Sequence, residues 1–125
     1  MAFEATLDIT INGVTKSLKR IADNGYTSEY MLRSATDEYR CYIRHSIVKP
    51  KKVLAPLYRD VERHNMEWVH RVFATSTTPE VVRRCYSVYE VFQGDDFTAS
   101  KNFVVGALAK SGSAGLVDDM LNLLS

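Results

Sequence analysis

Residues 96–124 constrain the fold of this chain more than any other segment, because they carry its only convincing helical pattern. Asp96 or Thr98 is placed to cap a first helix, and Gly112 stands where a C′ glycine would end it. The first helix has an apolar stripe at Phe103, Val104, Ala107 and Leu108. A second helix has its stripe at Leu116, Val117, Met120, Leu121 and Leu124. Both stripes must be buried on a sheet, of this chain or of another.

The residues before this tail have the pattern of antiparallel strands. An alternating segment at 3–11 is followed by Asn12-Gly13, the preferred pair for a type I′ hairpin turn, and by a return strand at 14–21. Further strands are predicted at 26–33, 38–47, 63–73 and 81–92. We therefore expect an α+β fold in one domain, 1–125, with a hairpin at 1–22, an antiparallel sheet at 26–93 and two helices at 96–124. Residues 48–60 are interpreted as a loop that can include a short strand.

Strand alternation predicts one apolar face and one face with many arginines. In the strands 38–47 and 63–73, the side chains that share the second face are Arg40, Tyr42, Arg44, Ser46, Arg63, Asn65, Glu67 and Arg71. In 81–92 both faces carry an arginine and a tyrosine, and the set assigned to this face is Arg83, Ser87 and Tyr89. Arginine interleaved with tyrosine suits phosphate binding and base stacking.

The charge distribution is compatible with an anion-binding surface. The net charge is +1, yet residues 33–84 hold eleven of the sixteen Lys/Arg and only six of the fifteen Asp/Glu. Residues 90–125 carry five acidic and two basic residues. Charge alone leaves two interpretations open: an anion-facing sheet, or ordinary solvated surfaces.

Sites for catalysis, metals or cofactors are not predicted. Cys41 and His45 share a strand face but stand about 13 Å apart at 3.3 Å per residue, which is too far to hold one metal or form a nucleophile–base pair. His64 and His70 are farther apart, so the histidines are interpreted as core or interface residues. The sequence contains no glycine-rich phosphate loop, HExxH or CxxC motif. We expect no enzyme activity, no catalytic residues, no metal and no cofactor.

Composition argues against a membrane partner and a disulfide scaffold. No apolar run approaches the roughly 18 residues of a membrane span, and the N-terminus lacks a signal-peptide pattern. The two cysteines, Cys41 and Cys85, lie in separate predicted strands. They are expected to be reduced and unlinked to neighbouring chains.

The order of these elements is similar to that of the coat proteins of single-stranded RNA bacteriophages, the leviviruses. Asn24-Gly25 looks like the opening of the family's sheet, and residues 39–44 (YRCYIR) resemble its alternating tyrosine and basic strand. Residues 98–123 are similar to the two helices of one branch. The resemblance covers the whole chain and rests on the ordered set. It implies an intertwined homodimer, an icosahedral shell that packages single-stranded RNA, and location in the virion and, during assembly, the host bacterial cytoplasm.

The resemblance also implies roles for particular residues. The arginine-containing face described above would bind RNA, including an RNA hairpin whose binding represses translation of the replicase. The helices would form the dimer interface through Phe103, Val104, Leu108, Leu116, Val117, Met120 and Leu121. The loop that lines contacts between dimers would be Thr75, Ser76, Thr77, Thr78 and Pro79. That loop is short and lacks cysteine, and 48–60 is longer than the family's usual turn.

Two other classes of function are the alternatives to a coat protein. A small dimeric RNA-binding regulator that forms no shell would use the same arginines. An enzyme with a curved sheet and helices is disfavoured, because no reactive pair of residues lies within reach.

Overall fold

The computed structural model describes residues 5–49 and 60–124, and the chain divides into two compact units after Glu90. Six strands form one antiparallel sheet in which spatial order follows chain order. The strands are β1 (Thr6–Ile11), β2 (Val14–Asp23), β3 (Thr27–Arg33), β4 (Asp37–Val48), β5 (Val61–Val72) and β6 (Val81–Phe92). The second unit, from Val91 onward, contains the helices α1 (Phe97–Ser111) and α2 (Ala114–Leu121). The predicted α+β architecture is therefore confirmed.

The turn between β1 and β2 has the predicted type I′ character. Asn12 and Gly13 both have positive φ, at 50° and 78°, which matches the twist of the flanking strands. Beside the turn, the hydroxyl oxygens of Thr10 and Thr15 lie 3.1 Å apart across the hairpin. Before β3, the side-chain oxygen of Asn24 accepts a hydrogen bond from the backbone N–H of Thr27 at 2.8 Å.

The main apolar cluster of the sheet lies on one face and is small. Leu18, Tyr30, Cys41 and Ile43 are buried together. Tyr30 stands opposite Cys41, and Cys41 stands opposite Trp68, so the cluster crosses β3, β4 and β5 at one level. Burial raises the pKa of the Cys41 thiol to about 12, which keeps it protonated.

The start of α1 and its end at Gly112 follow the prediction, whereas the conformation of Gly112 and the apolar stripe differ. Asp96 is the N-cap, and its carboxylate accepts hydrogen bonds from the backbone of Thr98 and Ala99. Gly112 has φ −92°, so it is not a left-handed C′ glycine. A Cβ at this position would lie 3.3 Å from the carbonyl oxygen of Leu108, so close packing at the helix end favours glycine. The apolar residues of α1 are also not confined to one stripe, since Val105, adjacent to the predicted stripe, is apolar and exposed.

The helix α2 begins after Ser113, whose hydroxyl donates to the carbonyl of Lys110 instead of capping α2. Its apolar residues are more one-sided than those of α1. No residue of either helix is buried within the single chain. The large apolar side chains on these helices are therefore available for contacts with another chain.

Two connections bear on the predicted loops. Of the predicted loop 48–60, Val48 ends β4, and residues 50–59 lie outside the described part of the chain. The loop 75–79 lies between β5 and β6, as predicted. Thr75 organises it, because its hydroxyl accepts from the backbone N–H groups of Thr77 and Thr78 and lies 2.6 Å from the Thr78 hydroxyl.

Candidate nucleic-acid interface

The register between β4 and β5 brings the predicted residues of these strands onto one face. Directly opposed pairs share a face in an antiparallel sheet. The pairs are Glu38–Arg71, Arg40–Val69, Tyr42–Glu67, Arg44–Asn65 and Ser46–Arg63. We call this side of β3–β6 the arginine face and the opposite side, which carries His45, His64 and His70, the histidine face. The predicted grouping of Arg40, Arg44, Arg63 and Arg71 is confirmed.

The predicted face of β6 is wrong. Arg84 Nε lies 3.8 Å from Glu67 Oε2, and Glu90 Oε1 accepts from Arg63 Nη2 at 3.0 Å, which places the even-numbered residues of β6 on the arginine face. Arg83 instead contacts His70 Nδ1 at 3.1 Å.

Tyr89 also contacts the histidine face, with its ring 5.2 Å from that of His64. Ser87 shares the parity of Arg83 and Tyr89, so all three belong to the histidine face. Both faces of β6 carry an arginine and a tyrosine, so residue types alone could not show which face of β6 joins the arginine face.

An almost fully buried carboxylate anchors one end of the arginine face. Glu38 is 2% exposed, and it accepts from Arg40 Nε at 2.7 Å and from Arg33 Nη2 at 2.6 Å. Arg40 also donates to Glu29 on β3. The hydrogen bond from Arg40, together with Arg33, holds the pKa of Glu38 below its ordinary value despite burial. Arg40 is thus bound by two carboxylates, and only 25% of its side chain is exposed.

Arg44 occupies the middle of the face in a more open arrangement. Its Nη1 donates to Glu67 Oε1 at 3.0 Å and lies 3.3 Å from Asn65 Oδ1. Its guanidinium lies over the ring of Tyr42, 4.8 Å from the centroid. The side chain of Arg44 is 43% exposed, whereas that of Glu67 is 18% exposed. Three neighbours therefore fix the orientation of a guanidinium that still reaches solvent.

The outer arginines are also paired with carboxylates. Arg63 donates to Glu90, with both side chains nearly half exposed, and Arg71 Nε lies 3.5 Å from Glu80 Oε1. The arginine face is consequently an array of ion pairs rather than an uncompensated positive patch. The excess of basic residues in the sequence therefore overstates the local positive charge of the arginine face. Glu29, Glu90 and Arg84 were missed as members, because only contacts between strands reveal them.

The histidine face carries a second polar network. His70 Nε2 lies 3.0 Å from Asp37 Oδ2, and the His70 ring stacks on Tyr39 with centroids 4.3 Å apart. The Ser34 hydroxyl is 2.7 Å from Asp37 Oδ1. The hydrogen bonds from Ser34 and His70 lower the pKa of Asp37. Because the Ser34 hydroxyl bonds the carboxylate rather than an imidazole, this network lacks a nucleophile–base pair.

His45 and His64 stand directly opposite each other on β4 and β5. Their Nδ1 atoms are 2.8 Å apart, and His64 Nε2 lies 3.2 Å from Glu62 Oε2. Burial and the neighbouring His64 lower the pKa of His45. The sequence had offered no partner for His45, since its partner lies on the far side of the segment 49–60.

In the ranges 5–49 and 60–124, no three His, Cys, Asp or Glu side chains are grouped so as to hold a metal ion. No helix among the described residues is long and apolar enough to cross a membrane.

The residues predicted for the dimer interface are accessible in the single chain. Phe103 is 76% exposed, Met120 is 63% exposed and Leu121 is 80% exposed. None of the other predicted interface residues on α1 and α2 is buried. The predicted inter-dimer loop, residues 75–79, is exposed throughout.

Comparisons with known proteins agree with this architecture. The family model described as "Phage phiCb5, coat protein" matches residues 4–92, more than half of the chain. The chain is similar to a solved virus-like particle of bacteriophage ESE058, with a TM-score of 0.67, 12% identity and coverage of 99% of this chain and 98% of that chain. It is also similar to a virus-like particle of Beihai levi-like virus 21, with a TM-score of 0.64, 17% identity and the same coverage of both chains. No curated protein matches this chain.

The likeness to the two particles establishes a shared fold, with a sheet followed by two helices, and the family match extends over β1–β6. The family is structural rather than enzymatic, which agrees with the absence of enzyme activity expected from the sequence, and its members are virion components. This chain therefore belongs to the phage phiCb5 coat protein family and is a coat protein of the levivirus type.

Proposed function

We propose that this coat protein dimerises, assembles into an icosahedral shell and packages single-stranded RNA against its arginine face. The observation that carries the RNA part is the alignment of Arg40, Arg44, Arg63 and Arg71 on one face, with Tyr42 among them. Guanidinium groups bind phosphates through paired hydrogen bonds, and a tyrosine ring can stack on an unpaired base. Assembly would take place in the cytoplasm of the host bacterium.

Exposed apolar surface supports dimerisation. Among the described residues the buried apolar core has five members, whereas large apolar side chains on β6, α1 and α2 are exposed. Phe97, Phe103 and Leu121 are each more than three-quarters exposed. Exposed large apolar side chains of this kind are typical of an association surface. In the proposed dimer, the helices of one subunit cover the sheet of the other.

Shell closure would use weaker contacts between dimers. The loop 75–79 is suited to such contacts, because the hydroxyl network around Thr75 fixes its conformation while its residues remain exposed. Both solved relatives are described as virus-like particles, which favours a shell over an isolated dimer.

RNA binding on this face would proceed by exchange of ion partners. A phosphate that approaches Arg44 or Arg63 replaces Glu67 or Glu90 as the acceptor, without new ordering of the guanidinium. Ser46 and Asn65 supply uncharged donors beside them. Arg40 is less available than the other three arginines, because two carboxylates bind it and its side chain is 25% exposed. We therefore assign most of the phosphate binding to Arg44, Arg63 and Arg71.

Two tyrosines are candidates for base stacking. Tyr42 has Arg44 over its ring, an arrangement that fixes the aromatic plane. Tyr86 is 66% exposed and has the parity of Arg84, so it belongs to the arginine face. Tyr89 is not a candidate for base stacking on the arginine face, because it contacts His64 on the histidine face. A retained translational-repressor activity would use these rings to hold unpaired bases of an RNA hairpin.

Filter binding of disassembled dimers to RNA across a salt series tests the face. Because phosphate binding releases counterions, Arg44→Ala and Arg63→Ala should weaken binding and each lower the salt slope by about one unit per lost contact. Lys16→Ala is the matched control, since Lys16 lies on β2 near the ring of Tyr39 on the other face. Wild-type affinity in both arginine variants, with a loss in Lys16→Ala, would reject the arginine face.

Comparing the affinities for a hairpin RNA and for an unstructured RNA distinguishes base stacking from phosphate binding. Tyr42→Ala and Tyr86→Ala should weaken hairpin binding more than bulk binding, whereas Tyr89→Phe should change neither.

Electron microscopy of the protein expressed alone tests the shell. Particles are the expected result. A stable dimer that forms no particle at any salt concentration or with added RNA would instead identify a dimeric RNA-binding regulator.

A further inference from the structure

An apolar groove lies on the histidine face, where residues of β1, β4, β5 and β6 meet. Its volume is about 140 Å³, and the side chains that line it include Ile9, Ile11, Tyr39, Trp68, His70 and Cys85. Three of these residues, Ile9, Tyr39 and Trp68, also pack against the buried apolar cluster of the sheet. A cavity of about 150 Å³ holds a benzene ring, so this groove can receive one large apolar side chain.

Two cations adjoin the groove from different strands. Lys16 on β2 places its Nζ 5.8 Å from the centroid of the Tyr39 ring, and Arg83 on β6 lines the groove and contacts His70 Nδ1. Within the described part of the chain, neither cation forms an ion pair, whereas the arginines of the arginine face are paired with carboxylates. The carboxylate of Asp37, on the same face as the groove, is already bound by His70. The two cations therefore remain available to acidic groups of another chain.

The charges of the two helices determine which of them suits this groove. The helix α1 contains Lys101 and Lys110 and no acidic residue, whereas α2 contains Asp118 and Asp119 and no basic residue. A basic helix would bring like charges together beside the groove, whereas an acidic helix compensates the two cations. The apolar residues of α2 are also the more one-sided. Charge and amphipathicity thus both favour α2.

The two aspartates of α2 lie on opposite sides of its apolar stripe. Residues three positions apart are neighbours on a helix, so Asp118 adjoins Leu121 at one edge of the stripe and Asp119 adjoins Leu116 at the other. Both aspartates are exposed, and neither forms an ion pair with any residue that the structure describes. The helix therefore presents an apolar stripe between two carboxylates, and the groove presents an apolar floor beside two cations.

We propose that this groove binds α2 of a second copy of the chain, with Asp118 and Asp119 paired to Lys16 and Arg83 of the other subunit. A side chain of the α2 stripe fills the groove, and the two ion pairs fix the direction and register of the helix. This inference rests on the proposed dimer and specifies which helix occupies which part of the sheet. Electrostatic complementarity of this kind sets register and excludes wrong partners more than it adds affinity.

Complementary charge reversal in full-length chains tests the contact. An Arg83→Glu chain is mixed in urea with an Asp118→Arg or an Asp119→Arg chain, refolded, and analysed by native mass spectrometry. Each variant homodimer contains two repulsive contacts, whereas the mixed dimer of correctly matched variants contains none. If each homodimer is about tenfold weaker, mixed dimers should make up about nine-tenths of the dimers, against about half for differently tagged wild-type chains. Arg84→Glu is the matched control, since it has the same charge but lies on the arginine face, and it should give about half.

Enrichment of the mixed dimer with either aspartate variant supports the proposal, and the aspartate that gives it shows the direction of α2. About half mixed dimer with both aspartate variants, or equal enrichment with Arg84→Glu, would overturn the assigned groove and leave the dimer itself intact. Wild-type chains that form no dimer would reject the proposed function and the groove together. If Arg83→Glu does not fold alone, recovery of a folded mixed dimer supports the contact, and no recovery with either aspartate variant contradicts it.

Discussion

Glu67 Oε1 accepts a hydrogen bond from Arg44 Nη1 at 3.0 Å across the β4–β5 pair. The other oxygen of the same carboxylate lies 3.8 Å from Arg84 Nε on β6. One carboxylate, 18% exposed, thus serves two arginines of the proposed RNA surface. Any phosphate bound there competes with Glu67.

Removing this competitor should strengthen RNA binding. Glu67→Gln keeps the shape of the side chain but frees Arg44 and Arg84, so we expect a gain of about 1 kcal/mol, or about fivefold in affinity, and a steeper salt dependence. Filter binding at several salt concentrations measures both. Asp119→Asn on α2 makes the same change in net charge away from the sheet and should give a much smaller effect. If both variants gain equally, net charge rather than Glu67 sets the affinity.

Glu38 should contribute to folding stability in a pH-dependent way. Glu38→Gln leaves Arg33 and Arg40 short of a carboxylate beside a buried position and should cost about 1–3 kcal/mol at pH 7. Because the pKa of Glu38 is lowered in the fold, this contribution is complete above the ordinary glutamate pKa of about 4.3 and is lost as the pH falls through the lowered value. Urea denaturation should therefore show the gap between the two proteins narrowing below about pH 4.

The exposed pair Arg63–Glu90 provides the control for that experiment. Glu90→Gln should cost less than about 1 kcal/mol, since both side chains are nearly half exposed. A pH-independent difference between wild type and Glu38→Gln would contradict the role given to the Glu38 charge.

The helical tail should stabilise the dimer. Leu121→Ala should cost about 2–5 kcal/mol if its side chain is buried by the other subunit, and the loss should depend on protein concentration. Leu123→Ala is the control, because Leu123 lies beyond α2 and is 91% exposed. A chain truncated after Gly112 that remains a soluble, folded monomer would contradict the intertwined dimer.

The two thiols should differ in reactivity and remain unlinked. Cys41 is buried with a pKa raised to about 12, so a thiol reagent at pH 8 should modify it only after unfolding, whereas Cys85 is exposed. Non-reducing electrophoresis of fresh protein should show monomers. Disulfide-linked oligomers would show that Cys85 reaches another chain.

The faces of β4 and β5 could be predicted because each strand alternates clearly between apolar and polar residues. In the predicted strand 38–47, alternation places Cys41 and Ile43 on one face and Arg40 and Arg44 on the other. The register with β5 shows the same two faces. The face of β6 could not be predicted, because Arg83 and Arg84 are adjacent and eight residues separate β6 from β5. Only contacts such as Arg84–Glu67 decide it.

Residue pairings across long connections could not be predicted from the sequence. His45 and His64 are nineteen positions apart, and their opposition requires a register that the intervening segment does not reveal. The same holds for Arg63 and Glu90, which turn a predicted positive patch into ion pairs. Gly112 shows a different limit, since its role depends on the nearby carbonyl of Leu108 rather than on φ.

The sequential order of the strands has a consequence for biosynthesis. Each strand from β2 to β6 joins the one synthesised just before it, so the sheet has low contact order and its loops close at small entropic cost. A nascent chain can thus zip successive hairpins together as they leave the ribosome. The helices are made last, so the sheet can be complete before α1 and α2 search for another subunit.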